Sequence, residues 1–165
     1  LGDLRQIGSG NIGATNVLRT GNKPAAFLTL IGDAGKGGAA VLLARAVVGE
    51  DAAQVAGVAA FLGHCFPIYL GFKGGKGVAT FLGTLIALSV PLGAAACLTW
   101  LAAAGAFRMS SLAALVAAAS APLWALWLRP DAWVFALALA ALIFWRHGAN
   151  ITRILAGEEP KIGQK

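Results

Sequence analysis

Charge is the first thing this sequence is short of: 12% of its 165 residues are Asp, Glu, Lys or Arg, while 58% are hydrophobic. A water-soluble domain needs about 25% charged residues to cover its surface, so this balance excludes an ordinary soluble fold. Aromatic residues are also scarce, at 8%. The apolar stock is mainly Ala, Leu, Val and Gly, small residues that let transmembrane helices pack closely. Cys65 and Cys97 lie in separate apolar stretches, without the paired spacing of a disulfide framework or a zinc site, so neither cofactor nor metal is expected. No run of basic, apolar and small residues typical of a signal peptide opens the chain. The formal charge of +6 comes with no soluble basic domain, which argues against nucleic acid as partner and for loops facing anionic head groups.

What is present is a series of long apolar stretches: 24–48, 52–70, 78–89, 92–107, 110–128 and 132–145. Most approach the roughly 17 to 25 residues that cross a bilayer, and the third and sixth are short. The pattern predicts an all-α, polytopic transmembrane bundle of six helices forming one membrane-integral domain over 1–165. Charge orients it. Six crossings put Arg5, Arg19, Lys23, Lys73, Lys76, Arg108, Arg146, Arg153, Lys161 and Lys165 on one face, and Arg129 with Glu50, Asp51 and Asp131 on the other. That is the bias of cytoplasmic and outer faces. Joining the third and fourth stretches into one kinked helix would spoil it, so both ends are expected on the cytoplasmic side.

An even number of crossings brings three polar segments to one face. The first, 7–23, combines Gly8, Gly10, Gly13 and Gly21 with Ser9, Asn11, Thr15, Asn16 and Arg19. Such a loop can turn amides and hydroxyls around an anion while Arg19 offers a planar fork to phosphate oxygens. A glycine-rich connector with solvated side chains is the alternative. The second segment, 63–80, contains Lys73-Gly74-Gly75-Lys76-Gly77. It fails the Walker A test, because Gly71 and Gly75 enclose three residues and Gly77 stands where a hydroxyl is required. What survives is Lys76 at the start of the Val78 helix, where helix amides and an ammonium can share a phosphate; the alternative is that Lys73 and Lys76 are membrane anchors. The third, 146–165, is expected to continue the last helix beyond the membrane, with His147 and Asn150 on one face and Arg153 beside them.

Asp33 and Lys36 lie within the first apolar stretch, three residues apart. Intramembrane charges are expensive and face partners or water, so this pair is read as structural support for the first loop. His64, just before Pro67, is read as a packing and loop-orienting residue.

Together, Gly8 to Asn16, the segment 63–80 and His147 to Gly163 resemble the three motifs of the bacterial acyl-phosphate:glycerol-3-phosphate acyltransferases, in order, spacing and intervening helices. The resemblance covers essentially the whole chain. It implies a seven-helix, multi-pass enzyme of the bacterial inner membrane with its active site on the cytoplasmic side. Its reaction would transfer an acyl group from acyl phosphate to glycerol 3-phosphate, making lysophosphatidic acid, with a peripheral acyl-phosphate synthase as a partner. The family carries a further helix ahead of the first motif, and this chain is expected to lack it. The resemblance carries phosphate and glycerol recognition onto Ser9, Thr15, Asn16, Arg19, Lys76, His147, Asn150 and Glu159, and of these Ser9, Arg19, Lys76, His147 and Asn150 are expected to be catalytic. Substrate binding is expected of Gly8, Asn11, Thr15, Asn16, Gly74, Gly75, Gly77, Arg153 and Glu159. After four intervening residues His64 and His147 are followed by Tyr69 and Thr152, so the His-x-x-x-x-Asp motif of other acyltransferases is missing. A transporter or channel for a phosphorylated metabolite is the alternative from another class; it predicts inverted repeats, and none is visible.

Overall fold

A computed structural model describes residues 4–6 and 10–163. Among these there is no strand, and the helices follow in the order α1 (Ala14–Arg19), α2 (Lys23–Val47), α3 (Glu50–Cys65), α4 (Val78–Leu88), α5 (Val90–Phe107), α6 (Ser110–Leu128), α7 (Trp133–Arg146) and α8 (Gly148–Leu155). The expected apolar stretches correspond to α2 through α7. The short α1 and α8 come from polar segments that apolar length alone does not mark.

Local chemistry sets the boundaries. Asn22 caps α2 by accepting the Ala25 N–H at 3.0 Å, and Pro24 stands in the first turn, where its missing N–H costs nothing. Ser89 ends α4 and begins α5 with Pro91 just inside it. The stretches either side of Val90 are therefore two helices. They fold back closely, since a Cβ at Gly93 would stand 2.3 Å from the Ile86 Cα. α2 and α4 meet just as tightly: a Cβ at Gly83 would stand 2.2 Å from the Ala34 carbonyl oxygen. Such close backbone approach is what small residues provide where lipid supplies no hydrophobic driving force.

Four segments, Lys23–Val47, Glu50–Leu70, Val90–Phe107 and Ser110–Leu128, are long and apolar enough to cross a membrane, and Pro130–Arg146 with Gly148–Leu155, bent by 64° from one another, reach that length only when taken together. That bend corrects the expected straight continuation of the last helix. At the break the His147 N–H reaches back to the carbonyls of Ile143 and Phe144, and the chain restarts at Gly148 in a new direction. The third expected crossing, α4, is only 11 residues, or about 16 Å at 1.5 Å per residue. Its last carbonyls need partners that lipid cannot offer. Arg45 donates to the Ala87 and Leu88 carbonyls at 2.8 Å each, and Arg129 donates to the Leu88 carbonyl at 3.0 Å. Both guanidiniums also pair with Glu50 at 2.8 Å. This charged clasp closes the end of the bundle opposite the polar loops.

The core is built from Phe61, Phe81, Leu85, Leu92, Leu139 and Ile143, interleaved with buried alanines of α6. Outward faces of α2, α5 and α7 leave Leu28, Leu43, Leu98, Val134 and similar residues exposed, a surface suited to acyl chains and not to water.

Candidate active site

The polar segments converge at one end on a cavity of about 770 Å³. Asn11, Thr15, Asn16 and Arg19 line it from the first segment, Lys76 and Gly77 from the second, and His147, Asn150 and Glu159 from the third. Gly74, Gly75 and Arg153 do not line it, and Gly8 and Ser9 lie outside the described residues, as does Lys165.

Instead of remaining a loop throughout, the first segment forms α1, which ends on Arg19 and so carries that guanidinium to the cavity wall. Polar contacts help hold it: Asn16 donates to the Leu4 carbonyl at 2.8 Å, and the Thr15 and Ser110 hydroxyls lie 3.2 Å apart.

In the second segment the glycines act through the backbone. Gly77 turns into α4 at φ 82°, a left-handed conformation open to glycine at little cost. The Gly74 N–H donates to the Cys65 carbonyl at 3.1 Å and the Gly75 N–H to the His64 carbonyl at 3.3 Å, which seats the loop on the end of α3. Arg146 donates to the Gly75 carbonyl at 3.1 Å from the other side while lying over the Phe66 ring, 5.0 Å from its centroid. Lys76 is thereby turned inward, where Nζ donates to the Asn150 carboxamide oxygen at 2.5 Å. Burial, reinforced by the nearby positive charges of Arg153, Arg146 and Arg19, pushes the Lys76 ammonium down to about 8 against the pull of Glu159. A bound anion would favour the charged form of this lysine and hold its proton to higher pH.

The third segment forms the opposite wall. His147 and Asn150 are 3% and 2% exposed. The His147 Nδ1 lies 2.8 Å from the Ile143 carbonyl oxygen; a carbonyl only accepts, so Nδ1 carries the hydrogen and Nε2 is the accepting nitrogen. Asn150 turns its NH₂ to Glu159 at 2.6 Å, which fixes its oxygen toward Lys76. Glu159 also accepts from the Ser111 hydroxyl at 2.6 Å and from Arg153 at 2.8 Å. Burial alone would raise the Glu159 carboxyl, but the hydrogen bonds from Ser111, Asn150 and Arg153 hold it below the ordinary carboxylate range. Ser110 and Ser111 were not singled out from the sequence. The available signal was a polar pair opening an otherwise apolar helix directly after Arg108 and Met109.

Below this polar end the cavity continues between α2, α4 and α5, lined by Phe27, Leu30, Ile31, Leu82, Ile86 and Leu101. Several of these are also outward-facing: Phe27 is 61% and Leu101 59% exposed. The cavity is thus cationic and hydrogen-bonding at one end, apolar at the other, and open along its apolar side. Among the described residues no group of three His, Cys, Asp or Glu is placed to hold a metal ion.

A family model described as glycerol-3-phosphate acyltransferase matches residues 1–157. A glycerol-3-phosphate acyltransferase of Jannaschia sp. (strain CCS1) is 72% identical over 165 residues, covering 99% of this chain and 81% of the relative. One from Cereibacter sphaeroides (strain ATCC 17025 / ATH 2.4.3) is 65% identical over 166 residues, covering 100% of this chain and 79% of the relative. Crystal structures of PlsY (YgiH), an integral membrane glycerol 3-phosphate acyltransferase, superpose with TM-scores of 0.92 for the glycerol 3-phosphate form and 0.88 for the lysophosphatidic acid form. They are 40% and 39% identical and cover 98% and 94% of this chain, and 82% and 81% of their own. Matched along nearly its whole length in sequence and in fold, this multi-pass membrane protein belongs to the glycerol-3-phosphate acyltransferase family.

Proposed function

We infer that this protein acylates glycerol 3-phosphate to lysophosphatidic acid with acyl phosphate as donor, and that the amphipathic cavity is where it does so. The supporting observation is the continuity of a buried cationic end with an apolar groove, which suits two phosphate-bearing substrates of which one trails an acyl chain. A transporter needs no such one-ended division, and family membership favours the enzyme.

Acyl phosphate is a mixed anhydride, so the protein has to bring the glycerol hydroxyl to its carbonyl and stabilise the phosphate that leaves. The hydroxyl oxygen forms the new ester bond, the carbonyl carbon to phosphate oxygen bond breaks, and inorganic phosphate departs. Arg19 and Lys76 hold phosphate charge. His147 accepts the glycerol hydroxyl at Nε2 and orients it, and the proton passes to an oxygen of the departing phosphate, which becomes more basic as the bond breaks. No covalent enzyme intermediate is needed. The acyl chain lies along α2, α4 and α5 with its side open to the bilayer. The positive loop face orients this end to the cytoplasm of a bacterial inner membrane, where a peripheral acyl-phosphate synthase would deliver the donor.

Purified protein given acyl phosphate and labelled glycerol 3-phosphate should release lysophosphatidic acid and one inorganic phosphate per turnover. Comparable rates with acyl-CoA or acyl carrier protein would contradict the choice of donor.

A further inference from the structure

Beneath the glycine loop lies a set of charged groups that the reaction above does not use. Lys36 Nζ stands 2.7 Å from Asp33 Oδ1 on the same helix and 2.7 Å from His64 Nδ1 on α3. The His64 Nδ1 and Asp33 Oδ1 are themselves 3.3 Å apart. An ammonium only donates, so His64 accepts at Nδ1 and carries its hydrogen on Nε2. The other edge of the ring presses on Gly75: a Cβ there would stand 2.2 Å from His64 Nε2 and 2.7 Å from the Ile12 carbonyl oxygen. Asp33 also accepts the Thr80 hydroxyl at its backbone carbonyl, 2.9 Å away, so the helix that follows the loop is tied to the same point.

An ion pair that merely neutralised two charges on α2 would not require a histidine from α3. Here the ammonium joins the carboxylate to the imidazole, and the imidazole bears on the residue next to Lys76. We propose that Asp33, Lys36 and His64 form a positioning cluster: the imidazole, held by Lys36, whose ammonium Asp33 holds in turn, is the seat for Gly75 and so sets where Lys76 presents its charge to phosphate. This rests on the assignment of substrate phosphate to Lys76. It gives the intramembrane charges a role in substrate affinity, through a loop they support from below.

The test is steady-state kinetics with both substrates, alongside thermal unfolding in detergent. His64→Leu should raise KM for glycerol 3-phosphate by about tenfold or more while kcat and KM for acyl phosphate stay within about threefold, and His64→Gln should recover most of the loss. Gly75→Ala should raise the same KM, and combining it with His64→Ala should cost less than the product of the single effects, because the two share one collision. A glycerol 3-phosphate KM within about twofold of wild type in His64→Leu, or a parallel loss in all three constants, would overturn the proposal. Where His64→Leu does not fold, the isosteric Asp33→Asn decides by the same criterion. Wild-type protein that makes no lysophosphatidic acid contradicts the functional reading; the cluster is then judged from glycerol 3-phosphate binding without donor, in which the same variants should weaken affinity by the same factor. Unaltered binding would overturn it.

Discussion

The Lys76 ammonium and the Asn150 carboxamide oxygen, 74 positions apart in the chain, stand 2.5 Å from each other in the lining of the cavity's polar end. The opposite end of that carboxamide is held by Glu159, which in turn is held by Ser111 and Arg153. A run of hydrogen bonds thus aims the lysine, and each member has a directional reason for its place.

Asn150 is therefore expected to matter through orientation. Asn150→Asp keeps an acceptor for Lys76 but sets a second carboxylate against Glu159. Asn150→Ala removes both contacts and should lower kcat/KM by about 10²-fold or more, in the range of losing one preorganised polar group. The check is kinetics on variants that first show wild-type thermal unfolding.

The pH dependence follows from Lys76, held at about 8 in the substrate-free protein. Above that pH the free enzyme loses the ammonium, so kcat/KM for glycerol 3-phosphate should fall between pH 8 and 10. Bound phosphate stabilises the ammonium, so the fall in kcat should begin at higher pH. For folding the sign is opposite. Because this lysine is lowered in the folded state, the unfolded chain binds the proton more readily, and its contribution to stability rises as pH climbs from about 8 toward the ordinary lysine value. A pH profile of both kinetic constants, set beside unfolding over the same range, checks both signs.

At the far end, Arg45→Leu would leave the Ala87 carbonyl without its guanidinium donor and leave the Leu88 carbonyl and Glu50 to Arg129 alone. One unsatisfied carbonyl in an apolar setting costs about 1–3 kcal/mol, so a clear fall in thermal stability is expected. Activity measured below the transition should be nearly unchanged, because the clasp is remote from the cavity. Loss of activity without loss of stability would contradict this division.

Sidedness can be read by labelling. Asp51 and Lys73 are both exposed and stand at opposite ends of α3 and its following loop. Asp51→Cys should react with an impermeant reagent from outside intact cells and Lys73→Cys should not. Gly74 is a poor position for such a probe, since a Cβ there would stand 2.1 Å from the His64 carbonyl oxygen.

The helices from α2 to α7 were legible because apolar length and the flanking breaks at Asn22, Gly49, Ser89, Met109 and Pro130 are local properties of the chain. The roles of the glycines were not. Gly74 and Gly75 read as phosphate-loop residues, yet they pack on His64 and Pro67, a tertiary contact that no spacing encodes. Arg153, expected to bind substrate, pairs with Glu159 behind the cavity lining, a tertiary contact its spacing does not encode. The bend at His147 escaped because Arg146 to Leu155 keeps helical periodicity through the break, and only the packing of α8 across the site end reveals its new direction. Arg45 was hidden within an apolar stretch whose partners, Ala87 and Leu88, lie on another helix.

The most direct measurement is acylation of labelled glycerol 3-phosphate by acyl phosphate, at low glycerol 3-phosphate, for wild type, Arg19→Ala, Arg19→Lys and Lys76→Ala matched for folding. The account predicts a loss of about 10²- to 10³-fold in kcat/KM for each alanine variant, as for removal of one preorganised electrostatic donor. Arg19→Lys should also be impaired, because an ammonium lacks the planar fork. Well-folded Arg19→Ala and Lys76→Ala proteins that form lysophosphatidic acid at the wild-type rate would contradict it.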